Sequence, residues 1–164
     1  MIRNARMEDV KAIYALLKHY ADQGLLLGRS LSSLYDQLRD FVVFDLVGEE
    51  IDREPPAGGL LGACALHVCW DDLAEIRSLA VAPGFHGRDI GTRLVRSCLE
   101  EASRFGIRRV FTLTYQPGFF EHFDFKRIDK SLLPHKVWSD CIQCPNFPDC
   151  HEEALIREDS GPQV

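Results

Sequence analysis

The stretch that decides the fold runs from residue 74 to residue 105 and reads AEIRSLAVAPGFHGRDIGTRLVRSCLEEASRF. Its first eight residues are rich in apolar and β-favouring types, and Pro83 and Gly84 then predict the end of a strand. Apolar residues next recur at helical spacing, and Gly106 is typical of a helix C-terminus. A glycine-bearing turn before a helix suits an anionic phosphate, because the first helical N–H groups have no partner within the helix. The stretch therefore predicts a strand, a phosphate-binding turn and an amphipathic helix.

The composition is that of one folded domain. The chain has 164 residues, 46% of them hydrophobic, and a net charge of −6. We expect a single domain over residues 1–158 and a flexible tail over 159–164. The acidic balance argues against a nucleic-acid partner, and no apolar run is long enough to span a membrane. Charges near the N-terminus replace the apolar segment of a signal peptide, so we expect a cytoplasmic protein, with a homodimer left open.

The rest of the chain predicts the element order β-α-α-β-β-β-α-β-α-β, with one more strand near its end. The predicted strands are 2–5, 41–47, 60–68, 74–81, 109–114, 125–128 and 154–157. Ser30 is expected to cap the second helix, whose inward face would hold Leu31, Leu34, Tyr35 and Leu38. The long helix after residue 89 is expected to bury an apolar face that extends to Phe105.

This order resembles the acetyl-CoA-dependent N-acetyltransferases of the GNAT superfamily. Their motif Gln/Arg-x-x-Gly-x-Gly/Ala corresponds to residues 86–91, HGRDIG, and residues 119–125, FFEHFDF, resemble a later helix-then-strand segment. The resemblance covers residues 1–157 and implies an α/β (α+β) fold with a central mixed, mostly antiparallel sheet flanked by helices. It also implies a set of acetyl-CoA contacts, namely Leu79, Ala80, Val81, His86, Gly87, Arg88, Asp89, Ile90, Gly91 and Thr92.

Two residues depart from the motif. His86 stands where Gln or Arg is usual, and Asp89 stands where the first motif glycine is usual. Aspartate tolerates left-handed backbone better than most residues, so the turn can still form, but its carboxylate would lie near the pyrophosphate or cap the helix. The turn alone is also compatible with binding nothing. A non-catalytic acyl-CoA-binding sensor is therefore one alternative function.

A closer likeness joins several separated segments to the short bacterial N-acetylglutamate synthases of arginine biosynthesis. The segments are 24–44, 75–81 and 133–138. This resemblance implies L-glutamate as the acceptor, and its carboxylates would need cations in bidentate reach. The candidates are Arg29, Arg77 and Lys136. Another small amine or a protein amine is the alternative acceptor.

Direct attack of a neutral amine on the thioester needs a group that takes up the amine proton. Glu75, on the predicted fourth strand, is the candidate base, and the alternative is an ion pair with Arg77 or Arg109. Many members of the superfamily use a tyrosine as the leaving-group acid, but the matching residue here is Phe120. Tyr115 is the substitute candidate, with a core or rim tyrosine as the alternative.

One further motif lies near the C-terminus. Cys141, Cys144 and Cys150 stand within ten residues of each other, with His151 beside the last. Cysteine and histidine are zinc ligands, so this segment is a candidate structural zinc site. The adjacency of the last two residues would strain a four-ligand loop, and a loop with buried or reducible thiols is the alternative.

Overall fold

The structure is a computed structural model of the chain, and it describes residues 1–133 and 152–159. The strands are β1 Ile2–Asn4, β2 Phe41–Asp45, β3 Leu60–Trp70, β4 Leu73–Val81, β5 Arg109–Thr114, β6 Lys126–Ile128 and β7 Glu153–Glu158. The helices are α1 Val10–Ala21, α2 Leu31–Asp36, α3 Ile90–Arg104 and α4 Pro117–Glu121. Short 3₁₀ turns lie at Met7–Asp9, Leu38–Asp40, Ala57–Gly59 and Lys130–Leu132.

The strands form one seven-stranded sheet in the order β1-β2-β3-β4-β5-β7-β6. β4 and β5 are parallel and pair Ala74 with Val110 and Glu75 with Phe111. The pairings β1–β2, β2–β3, β5–β7 and β6–β7 are antiparallel. The prediction of a mixed, mostly antiparallel sheet flanked by helices is therefore confirmed.

The chain divides into two compact units, and each has its own core. The first contains Met1–His67 and Ile76–Glu101, the second Val68–Glu75 and Ala102–Val164. The first unit buries apolar residues of α1, β2, β3 and α3, and the core of the second includes Leu73, Phe111 and Ala154. The single domain expected over residues 1–158 stays a prediction.

In the first unit a glycine lets α3 pack closely on β3. A Cβ atom at Gly62 would lie 2.9 Å from Leu94 Cδ1, 3.0 Å from Ile90 Cγ2 and 3.1 Å from the Ala80 carbonyl oxygen. Side-chain atoms cannot approach so closely without a shift of the helix. Gly62 thus fixes the first turn of α3 against the sheet, next to the end of β4.

Ser30 caps α2 as predicted, since its Oγ accepts a hydrogen bond of 3.0 Å from the Ser33 amide. Fewer residues of this helix are buried than the sequence predicts. Leu34 is buried, whereas Leu31 is 38% and Tyr35 42% exposed, because a helix of six residues turns only one side chain fully inward. Phe105 is 63% exposed, so its predicted place in the core is wrong. It lies one residue past the end of α3, where that apolar face ends.

Some predictions fall on residues outside 1–133 and 152–159. They concern Lys136, the zinc candidates Cys141, Cys144 and Cys150, and the tail after residue 159. Among the described residues, three or more His, Cys, Asp or Glu side chains nowhere gather in a way that could hold a metal ion. Over the same ranges, none of the helices has the length and apolarity needed to cross a membrane.

Candidate active site

The turn between β4 and α3 contains three residues in the left-handed region. They are Gly84 at φ 84°, Gly87 at φ 81° and Asp89 at φ 61°. A Cβ atom at Gly87 would meet no protein atom within 4 Å, so this glycine supplies the backbone angle and leaves open space beside the turn. Asp89 adopts the conformation that glycine usually supplies. Its exposed carboxylate has no hydrogen-bond partner among residues 1–133 and 152–159, so it does not cap α3 there.

The N-terminus of α3 opens directly from this turn. Its first helical hydrogen bond runs from the Arg93 amide to the Asp89 carbonyl at 2.9 Å. The amides of residues 90–92 precede that bond, so the helix itself offers them no acceptor. Together with the helix dipole, they form a site suited to an anionic phosphate.

Tyr20, on α1, links the end of β4 to this turn. Its hydroxyl donates to the Val81 carbonyl oxygen and lies 2.8 Å from His86 Nε2. A carbonyl can only accept, and a tyrosine hydroxyl has one proton. The His86 Nε2 atom must therefore carry the hydrogen that it donates to Tyr20 Oη. Burial raises the pKa of Tyr20 above its ordinary value of 10.0, which keeps the hydroxyl protonated.

The arginines near the turn are held by the loop between β2 and β3. Arg88 Nη2 lies 2.7 Å from Asp52 Oδ1, and Arg93 Nη1 lies 3.7 Å from Glu49 Oε1. The hydrogen bond from Arg88 lowers the pKa of Asp52 below its ordinary value. Arg88 also stacks on the buried Phe85 ring, with Cζ 5.3 Å from the ring centroid. Asp52 and Glu49 thus position the guanidinium groups of the two arginines beside the turn.

An irregular residue lies in the middle of β4. Ser78 has φ 56° and is 7% exposed. A non-glycine residue with positive φ inside a strand is typical of a β-bulge, which interrupts the ladder and redirects neighbouring groups. Ser78 comes directly before Leu79, Ala80 and Val81, the strand end expected to contact the cofactor.

Two of the three predicted acceptor cations meet in the first unit. Arg29, in the loop before α2, and Arg77, on β4, both donate through Nη2 to Gln37 Oε1. The bond from Arg77 measures 2.7 Å, and Arg29 also lies 3.2 Å from the Ser33 hydroxyl. Residues 40 positions apart in sequence are thereby joined at the end of α2.

The candidate catalytic groups lie on a strand of the sheet or directly after one. Glu75 is half-buried on β4, in register with Phe111 of β5, and Tyr115 is half-buried one residue after β5. Arg109 contacts Asp72, at 3.3 Å from its carbonyl oxygen and 3.9 Å from Oδ2. Phe120 is 4% exposed, and its ring contacts those of the phenylalanines at 119 and 125 edge to face. It therefore serves as a core side chain of α4.

Comparison with known proteins agrees with this arrangement. Residues 12–125 match the acetyltransferase (GNAT) family. The chain belongs to the GNAT family. It is 37% identical over 156 residues to an uncharacterized N-acetyltransferase of Chlorobaculum tepidum, which covers 95% of this chain and 94% of that protein. It is 36% identical over 140 residues to an amino-acid acetyltransferase of Mycobacterium tuberculosis, covering 85% and 76%.

Solved structures show the same fold with coenzyme A. Rv2747 of Mycobacterium tuberculosis, in complex with CoA, has a TM-score of 0.78 and 30% identity and covers 97% of this chain and 99% of its own. The N-acetylglutamate synthase of Neisseria gonorrhoeae, in complex with coenzyme A and N-acetyl-glutamate, has a TM-score of 0.78 and 27% identity. The match covers 96% of this GNAT chain and 34% of the synthase. The chain is thus an acetyl-CoA-dependent GNAT acetyltransferase of amino-acid acetyltransferase type.

Three residues of the site could not be predicted from the sequence. Tyr20 and Gln37 belong to no sequence motif, and Ser78 lies inside a predicted strand. The partners of Tyr20 lie 61 and 66 residues away in sequence, and Gln37 meets Arg77 across 40 residues. Helical and strand periodicity report which face a residue occupies and carry no information on such distant pairs.

Proposed function

We propose that this GNAT enzyme transfers the acetyl group of acetyl-CoA to the α-amino group of L-glutamate, a step of arginine biosynthesis. The observation that carries the proposal is the convergence of Arg29 and Arg77 on one amide oxygen. Guanidinium groups recognise carboxylates through paired N–H donors, and glutamate has two carboxylates. Lys136 is the proposed third cation. The relatives named amino-acid acetyltransferase and the complex with N-acetyl-glutamate support this acceptor class.

The cofactor end of the site follows from the turn. The amides of residues 90–92 and the open space at Gly87 suit the pyrophosphate, and the β4 backbone from Leu79 to Val81 suits the pantetheine and thioester. His86 donates to Tyr20 through Nε2, which leaves Nδ1 as its second polar atom.

The chemistry is a direct transfer in a ternary complex. The neutral amine attacks the thioester carbonyl carbon, the new C–N bond forms, and the C–S bond breaks. In this proposal Glu75 takes up the amine proton directly or through water, and Tyr115 supplies a proton to the departing thiolate. A Glu75→Gln variant should lose most kcat at low pH, where the amine is hardest to deprotonate. An unchanged pH profile would assign the base to water.

The test is a thiol-release assay with acetyl-CoA against a panel of acceptors. The panel contains glutamate, glutamine, aspartate, lysine and a peptide with a free N-terminus. We expect turnover with glutamate at a kcat/KM at least about tenfold above that with lysine or the peptide. Arg29→Ala should raise the KM for glutamate more than the KM for acetyl-CoA. Preference for lysine or the peptide would overturn the proposal.

A further inference from the structure

We propose that Asp89 weakens the binding of acetyl-CoA and of the product CoA alike, because its carboxylate lies next to the amides that would bind the pyrophosphate. This inference rests on the cofactor end of the proposed function, where the amides of residues 90–92 take the pyrophosphate. Acetyl-CoA and CoA have the same pyrophosphate. The consequence of Asp89 is therefore a higher KM for acetyl-CoA together with weaker inhibition by CoA.

The backbone places the Asp89 side chain at the start of α3. Its carbonyl oxygen accepts the first helical hydrogen bond, from the Arg93 amide at 2.9 Å, so Asp89 directly precedes the amides of residues 90–92. An aspartate that caps a helix usually has extended backbone, from which its carboxylate accepts from the second or third amide. Asp89 is instead left-handed, at φ 61°. Its carboxylate thus leaves those amides to a ligand and adds a negative charge beside them.

The two arginines nearest to Asp89 in sequence are paired with other acids. Arg88 Nη2 lies 2.7 Å from Asp52 Oδ1, and Arg93 Nη1 lies 3.7 Å from Glu49 Oε1. Over residues 1–133 and 152–159 the exposed Asp89 carboxylate forms no ion pair of its own. Its charge therefore acts on a nearby bound anion through Coulomb repulsion, which salt can screen at this exposed position.

The backbone conformation at position 89 does not require a charge. Glycine and asparagine both tolerate positive φ, and asparagine has nearly the same shape as aspartate. Either would form the turn as well as Asp89. The negative charge interacts favourably with the positive end of α3, but the same end of the helix attracts a phosphate. The carboxylate and the pyrophosphate thus compete for one electrostatic site, and the cofactor binds less tightly than the amides alone would allow.

The experiment compares Asp89→Asn with a matched control, Glu100→Gln. Both remove one negative charge from an exposed residue, but Glu100 lies about 16 Å further along α3. For Asp89→Asn we expect the Kd of CoA, measured by calorimetry, to fall about threefold to tenfold. The KM for acetyl-CoA and the inhibition constant of CoA should fall by a similar factor, and the KM for glutamate should stay within about twofold. Equal gains in Glu100→Gln would make the effect one of net charge, and the inference would fail.

Salt and stability separate electrostatic repulsion from a change in the turn. Raising sodium chloride from about 0.05 M to about 0.5 M should bring the two Kd values closer together, because screening weakens the repulsion. The melting temperature of ligand-free Asp89→Asn should be equal or slightly lower, since α3 loses a charge that suits its dipole. Asp89→Gly should also bind CoA more tightly. Tighter binding by the glycine variant alone, or a ratio of Kd values that does not change with salt, would overturn the inference.

Dephospho-CoA, which lacks the 3′-phosphate of CoA, identifies the phosphate concerned. We expect Asp89→Asn to bind it more tightly than the wild type by the same factor as CoA, because the pyrophosphate is retained. Loss of that gain would place the carboxylate beside the 3′-phosphate and would contradict the inference.

These titrations contain no acceptor, so they distinguish failure of the inference from failure of the proposed function. Equal CoA affinities of the wild type and Asp89→Asn would overturn the role of Asp89 and leave glutamate standing as the acceptor. Tighter binding by Asp89→Asn supports the inference even if the acceptor panel favours lysine or the peptide. If the wild type binds no CoA, the cofactor end of the proposed function and the inference are both wrong.

Discussion

Two clusters of arginine side chains in the first unit differ in the residue that accepts their hydrogen bonds. In the first cluster, near the N-terminus, Arg3 donates to Asp9 at 2.7 and 3.0 Å and to Asp45 at 2.7 Å. Asp9 also accepts from the Arg6 amide at 2.7 Å and closes the turn that leads into α1. One guanidinium group thus meets two carboxylates, and the cluster neutralises its own cation.

The second cluster joins Arg29 and Arg77 through Gln37. Here two guanidinium groups donate to one amide oxygen. Both clusters connect segments far apart in sequence, by the same kinds of hydrogen bond and at similar depth. They differ in whether the central partner brings charge. Removing one member of a partly buried ion pair leaves the other charge uncompensated and destabilises the fold, whereas guanidinium groups bonded to an amide oxygen resemble the donor sets that bind carboxylates.

The largest effect is expected from removing the cation of the first cluster. Arg3→Met leaves two partly buried carboxylates without their guanidinium partner, which should lower the free energy of unfolding by about 3 kcal/mol. Urea denaturation of this variant and of Arg6→Met measures it. Arg6 pairs with Glu8 at 3.7 Å on the surface, so the control should change by less than about 1 kcal/mol. Equal losses would mean that burial of the carboxylates contributes nothing.

The second cluster should respond in binding. Arg77→Met should raise the KM for glutamate about tenfold to a hundredfold and leave the KM for acetyl-CoA within about threefold. Steady-state kinetics with each substrate varied in turn give both values. Arg39→Met, at an exposed arginine just after Gln37, is the matched control. Parallel changes in both KM values for Arg77→Met would place this arginine outside the acceptor site.

A smaller effect should appear at the cofactor end. Tyr20→Phe removes the hydroxyl between Val81 and His86, so β4 loses a hydrogen bond from α1 and the His86 ring loses its acceptor. We expect the KM for acetyl-CoA to rise about threefold to tenfold with the glutamate KM unchanged. Tyr14→Phe, on the same helix, controls for loss of a hydroxyl. A larger rise in the KM for glutamate than in the KM for acetyl-CoA would contradict the assignment of Tyr20 to the cofactor end of the site.

The smallest effect concerns acid stability. The hydrogen bond from Arg3 lowers the pKa of Asp9 below its ordinary value of 3.8. A depressed folded pKa contributes stability that is present above the ordinary pKa and is lost as the pH falls through the folded value. Unfolding free energy should therefore drop more steeply below about pH 4 in the wild type than in Arg3→Met, by less than about 1.4 kcal/mol per pH unit. Urea titrations across that range give the slopes, and identical slopes would contradict the pairing.

The fold was readable from the sequence because its main signals are local. Strand and helix periods, the Pro83-Gly84 break and the Ser30 cap depend on neighbours a few residues apart. The left-handed conformation of Asp89 followed from the same logic, since a turn position needs a residue that tolerates positive φ. The predicted burial of Phe105 failed because the apolar pattern continues past the residue at which α3 ends.

Only some residues of the site could be predicted from the sequence, for a physical reason. Cation type suggested Arg29 and Arg77, because acidic acceptors need guanidinium groups. Gln37, which joins them, has a common neutral side chain whose role arises only when α2 ends beside β4. The sequence shows which residues are charged. It does not show that the neutral Gln37 lies between Arg29 and Arg77, because that contact exists only in the folded chain.

The most direct test of the contrast is a double-mutant cycle between positions 37 and 77, with the KM for glutamate as the readout. If Gln37 holds Arg77 in place through their hydrogen bond, Gln37→Met should raise that KM clearly in the wild type and much less in Arg77→Met. Equal factors in the two backgrounds would show that Gln37 and Arg77 act independently, which would contradict the account.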